Sequence, residues 1–108
     1  MRKEIAEFLD EYILQFKKLD IKNVESIVLF GSQARGTAKV SSDIDIAVVM
    51  TESLNSYDRG RVLSIADDVD MRFETNLFFT TRHAVDNACR HLDTNTHIKN
   101  EGVVLWQQ

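Results

Sequence analysis

Three features of the sequence predict an α+β fold in which helices cover a small mixed β-sheet. They are an amphipathic N-terminal segment, two short β-branched apolar runs after it, and alternating helical and strand-like segments beyond. In the first segment Ile5, Phe8, Leu9, Tyr12, Ile13 and Phe16 recur at three- and four-residue steps, which paints one apolar stripe on a helix. "VESIVLF" is short, apolar and β-branched, and reads as a buried strand ended by Gly31. "GSQARGTAKVSS" lacks a long apolar run and reads as a loop or a single helical turn. "DIDIAVVM" is the second strand.

From Ser53 to about Val69, helical spacing returns through Leu54, Val62, Ile65, Ala66 and Val69. "MRFETNLFFTT" breaks that period, which predicts a third strand around Phe73 to Phe79. Thr81 is placed to cap a following helix whose buried positions would be Ala84, Val85, Ala88, Cys89 and Leu92. The tail "HIKNEGVVLWQQ" gives a helical end, a glycine and a short apolar run. No repeat, low-complexity tract or linker interrupts residues 1–108, so a single domain is expected.

With 44% hydrophobic residues in a chain of 108, the protein is expected to bury a core without disulfide or metal staples. The lone Cys89 has no partner for a bridge and no zinc-type spacing, which favours a reducing cytoplasm. Seventeen acidic against thirteen basic residues give a net charge of -4, which argues against a role in coating nucleic acid. No apolar stretch approaches a membrane span, so a soluble protein is expected.

The chemistry lies in "LFGSQARGTAKVSSDIDIAVVM". A strand sends alternate side chains to opposite faces, so Asp43 and Asp45 share one side while Ile44, Ile46 and Val48 take the other. Two adjacent carboxylates repel unless a proton or a cation lies between them, and an all-oxygen setting suits a hard cation such as Mg²⁺. An edge strand with one solvated polar face would give the same alternation. The companion feature is Gly31-Ser32 at the end of the preceding strand, where backbone N-H groups and a small hydroxyl can hold a phosphate oxygen. A Walker loop is excluded because Thr37 and Ala38 follow Gly36, and no G-x-G is present for a dinucleotide fingerprint.

Strand, "GS", ten intervening residues and "DID" inside a second strand resemble the signature of the DNA polymerase β-type nucleotidyltransferase superfamily. "GSQARGTAKVSSDIDIAVV" is similar to its minimal nucleotidyltransferase (MNT) branch, and the looser likeness extends through "IKNEGVVLW". The resemblance implies a polymerase β-like core that binds ATP or another nucleoside triphosphate with Mg²⁺, two ions being expected. Gly31 and Ser32 would hold its phosphates, and Asp43 and Asp45 the metal. Arg35 would add a phosphate contact, unless it is a plain solvated loop arginine. The family's third carboxylate, on a neighbouring strand, would be Glu74, with Asp70 as the alternative. Asp is commoner there, so Glu74 would be a departure, and Asp67, Asp68 and Asp70 also read as a solvated helix end. His83, His91 and His97 have no metal-ligand spacing and read as surface or helix-end residues, and Tyr12, Phe16 and Trp106 as core or interface aromatics.

The expected activity is transfer of a nucleoside monophosphate, AMP by resemblance, to a hydroxyl on a protein or small molecule. Larger relatives add a helical region for the acceptor, so a partner is expected to complete the acceptor site. Stand-alone MNT proteins commonly pair with a helical HEPN protein, often as antitoxin to a HEPN toxin, and the sequence fits that role. The alternatives are a module that regulates its partner by contact alone and a nucleotide-binding domain without transfer.

Overall fold

In a computed structural model that describes residues 1–108, the N-terminal apolar stripe forms α1 (Lys3–Leu19). Glu4 in its first turn and Lys17 and Lys18 in its last complement the helix dipole. Its apolar face buries Ile5, Phe8, Leu9, Tyr12 and Phe16, so the stripe covers the sheet. The chain continues through β1 (Val24–Phe30), α2 (Gly31–Arg35), β2 (Ile44–Met50), α3 (Ser56–Val69) and β3 (Thr75–Thr81). It ends with α4 (Arg82–Asp86), α5 (Thr94–Glu101) and β4 (Val103–Gln107).

The four strands lie in the order β3-β2-β1-β4. β1 runs antiparallel to both β2 and β4, whereas β2 and β3 are parallel. A parallel pair needs a crossover, which α3 supplies. The Asn55 side chain caps that helix by accepting the Asp58 N-H at 2.7 Å. In β1 a register shift between Val24 and Ser26 lets Val24 join Ile27 and Leu29 in the same core despite their odd spacing.

The sheet is covered unequally. On one face α1 and α3 pack over Ile27, Leu29, Ile44, Ile46 and Val48, which are essentially inaccessible to solvent. On the other a smaller cluster joins Val28, Ala47 and Val49 to Val85 of α4 and Ile98 of α5. No helix is long and apolar enough to cross a membrane.

Three sequence expectations are corrected. The helix predicted to run from Thr81 past Cys89 is two helices, because Asn87 donates its side-chain amide to the His83 carbonyl at 2.8 Å and Asp93 caps a new start at α5. Of its predicted buried positions Val85 is buried, while Cys89 is exposed and Leu92 is 86% exposed. The third strand begins at Thr75, two residues later than expected, after the Asp70–Phe73 turn. The apolar run after Gly102 is a full edge strand, β4, with its Trp106 ring 5.1 Å from that of Phe16.

Candidate functional site

Asp43 lies just before β2 and Asp45 within it, on the side of Ala47 and Val49, the thinly covered face. Ile44, Ile46 and Val48 anchor the same strand in the main core. Each apolar residue that fixes the strand therefore sets the direction of an aspartate beside it.

On one flank Asp45 pairs in register with Phe30, the last residue of β1, so the turn into α2 begins beside its carboxylate. Gly31 at that turn has φ +74°, a left-handed conformation that favours glycine. A Cβ at Gly31 would collide with Asp45 Oδ2, so the missing side chain is the space the carboxylate uses. The glycine expected from the sequence to hold phosphate is thus also what admits Asp45. Ser32 follows in the first turn of α2, whose last turn is closed by Thr37 N-H donating to the Ser32 carbonyl at 3.0 Å.

On the other flank Asp45 pairs with Asn76 of β3. The Asn76 amide donates through Nδ2 to Asp43 Oδ2 at 3.1 Å and to Asp45 Oδ1 at 3.0 Å. A carboxylate only accepts, so the amide must present its nitrogen to the pair. The two carboxylates therefore converge on one point, and a neutral donor sits there.

The third acid expected from the sequence is not at that point. Glu74 precedes β3 and is exposed, tied to β2 by its carbonyl, which accepts the Ile44 N-H at 2.9 Å. It lines a shallow depression with Asp43, Ser42 and Arg72, but no three acidic or histidine side chains converge as a metal group. Asp70 is engaged elsewhere. Arg72 donates from Nε and Nη2 to its two oxygens at 3.0 and 2.7 Å, and these hydrogen bonds hold the Asp70 carboxyl below its usual range. The residue facing both aspartates is Asn76, which the sequence reading missed because it looked for carboxylates alone. The available signal was its even spacing from Glu74, which gives it the same strand face.

Arg35, at the end of α2, donates from Nη1 to Glu101 Oε2 of α5 at 2.9 Å. His97 Nδ1 lies 3.5 Å from the other Glu101 oxygen. The Arg35 hydrogen bond keeps the Glu101 carboxyl below its usual range. A phosphate contact by Arg35 would have to exchange with this ion pair. His83 and His91 are exposed and lie apart from the aspartates' strand, on α4 and in the link after it.

The atoms of Asp43 and Asp45 that could ligate a metal are carboxylate oxygens, with no thiolate or imidazole beside them, a set that suits a hard divalent cation rather than zinc. Both carboxylates point to one spot, and the Gly31 cradle keeps one of them there.

Known proteins share this fold. A curated protein of Methanocaldococcus jannaschii, named as a candidate protein adenylyltransferase, is 24% identical over 71 residues, covering 66% of this chain and 72% of its own. A chain of a toxin-antitoxin crystal structure with AMP-PNP is 28% identical, with a TM-score of 0.55 over 90% of this chain and 72% of that one. The fold recurs, at 22% identity and a TM-score of 0.58, in the complex of tri-AMPylated Shewanella oneidensis HEPN toxin with MNT antitoxin. That likeness spans 95% of this chain and 72% of that one. The family profile "Polymerase beta, Nucleotidyltransferase" matches residues 8–108. With a strand-turn-strand frame that brings two aspartates against a glycine turn, and a profile match over nearly its whole length, this chain belongs to the polymerase β-type nucleotidyltransferase family.

Proposed function

We propose that residues 1–108 act as one minimal nucleotidyltransferase domain that binds ATP with Mg²⁺ and moves AMP to a hydroxyl of a protein partner. The observation that carries this reading is the convergence of Asp43 and Asp45 on one point beside the Gly31-Ser32 turn. Asp43 and Asp45 would hold the cation, which supplies positive charge to the phosphates and lowers the pKa of a bound hydroxyl. Gly31 and Ser32 would receive the phosphates, and Arg35 would join them on leaving Glu101. Glu74, beside Asp43 in the same depression, is left as an outer carboxylate rather than a third member of the pair.

The partner in this reading is a small helical HEPN-type protein, with this chain as its antitoxin in the cytoplasm. The toxin-antitoxin structure with AMP-PNP supports the antitoxin role and the M. jannaschii relative's name a protein acceptor, while the HEPN class of the partner rests on the sequence resemblance. A second reading, silencing of the partner by contact without transfer, is favoured by Asn76 where the resemblance leads one to expect an acid.

Calorimetric titration of ATP with and without Mg²⁺ tests the site. Binding should require Mg²⁺ and disappear in the Asp43→Asn/Asp45→Asn variant, which should melt no earlier than the parent because two crowded charges are gone. Unchanged nucleotide binding by that variant would sink the reading. Incubation with labelled ATP and a HEPN-type protein then separates transfer, seen as label on the partner, from silencing by contact.

A further inference from the structure

Asn76 is the one side chain that hydrogen-bonds both aspartates, and it is neutral. We propose that Asn76 makes this a centre of two charges, which holds a divalent cation only jointly with the phosphates of a nucleoside triphosphate. The proposal rests on the nucleotide reading above and adds to it the residue that sets the order of assembly.

In the structure the amide nitrogen satisfies Asp43 Oδ2 and Asp45 Oδ1 together, and this eases the repulsion that two neighbouring carboxylates would otherwise feel. A cation arriving alone must displace both hydrogen bonds. Once the amide has rotated, its oxygen can face the cation, but an amide oxygen brings no charge. Affinity for a divalent cation rises with the number of charged oxygen ligands, so two carboxylates and an amide form a weak site. A triphosphate carries the missing negative charge with it. Glu74 is exposed just before β3 and does not stand at the convergence point, so it does not replace that charge. Neither does Asp70, whose two oxygens are held by Arg72. The chain would therefore hold little cation when nucleotide is absent.

The test is Asn76→Asp. Calorimetry with Mn²⁺ alone should show weak binding to the parent and binding about tenfold tighter, or more, to Asn76→Asp, because the third charge is restored. With ATP present the parent should bind Mn²⁺ as well. Melting gives a readout independent of activity: without cation Asn76→Asp should melt below the parent, since three carboxylates then crowd one point, and Mn²⁺ should restore it. A purely structural role for Asn76 predicts the loss of stability without that recovery.

If Asn76→Asp fails to fold, the parent still decides. The Asn76 side-chain NH₂ signals in a ¹⁵N spectrum should broaden with Mn²⁺ and ATP together, and not with equal Mn²⁺ alone. Equal Mn²⁺ affinity of the parent and Asn76→Asp, or broadening by Mn²⁺ alone, would overturn the proposal while the nucleotide reading stands. Absence of Mn²⁺ binding by both proteins, with and without ATP, would remove the nucleotide reading and this proposal together.

Discussion

Gly31 and Gly36 both have positive φ, +74° and +79°, yet they differ in what surrounds them. Nothing lies within 4 Å of a Cβ at Gly36, whereas a Cβ at Gly31 meets the Asp45 carboxylate. Gly36→Ala should therefore destabilise by the backbone effect alone, about 1–2 kcal/mol, and leave nucleotide binding intact. Gly31→Ala adds the collision, so it should destabilise more and displace Asp45, with loss of Mg²⁺-dependent ATP binding by calorimetry. Equal behaviour of the two variants would mean that the cradle does not position Asp45. At this scale the aspartates were legible in the sequence, because a period of two assigns them a common face. Asn76 was legible only as to its face, through its even spacing from Glu74: its role depends on the parallel register that puts it opposite Asp45, and no pattern within either strand encodes that pairing.

Most elements were legible where apolar periodicity is carried by large side chains. α1, with Phe8, Leu9, Tyr12 and Phe16, formed as its spacing required, and so did α3 around Val62 and Ile65, except that it starts at Ser56 under the Asn55 cap and leaves Leu54 in the loop before it. The split between α4 and α5 was hidden because three of the five periodic residues there, Ala84, Ala88 and Cys89, are small and gain little from burial, while Asn87 and Asp93 compete for the backbone. α5 is then tied to α2 by the ion pair of Glu101 and Arg35. A carboxyl held below its ordinary value stabilises the fold above that value, and the contribution is lost as pH falls through the lowered one. Glu101→Gln should thus melt slightly below the parent at pH 7, with the gap closing as the pH falls through that lowered value. A gap that persists in acid would assign the loss to packing, since the ion pair is then absent from both proteins.

Across the whole molecule the two faces of the sheet are unequal in depth, and the carboxylates lie on the shallower one. The main core could be read from the sequence, because α1 and β2 announce their apolar faces separately. The imbalance could not, since it arises from how little of α4 and α5 reaches the sheet. Val48 and Val85 carry the same side chain on opposite sides of this division, at 0% and 3% exposure. Val48 is enclosed by α1, α3 and neighbouring strands, where a cavity cannot collapse, so Val48→Ala should cost about 2–3 kcal/mol in urea unfolding. Val85 sits on a five-residue helix over a small cluster that can settle inward, so Val85→Ala should cost about 1 kcal/mol. Hydrogen exchange should agree: amides of α4 and α5 should open at lower free energy than those of β1 and β2, which are buried between strands. Such a layer can shift to admit a ligand or partner beside Asp43 and Asp45 while β2, which aims them, stays fixed in the deep core. Equal cost for the two valine variants, with uniform exchange, would instead make the thin layer part of one cooperative unit, and the carboxylates' face would be as rigid as the core behind it.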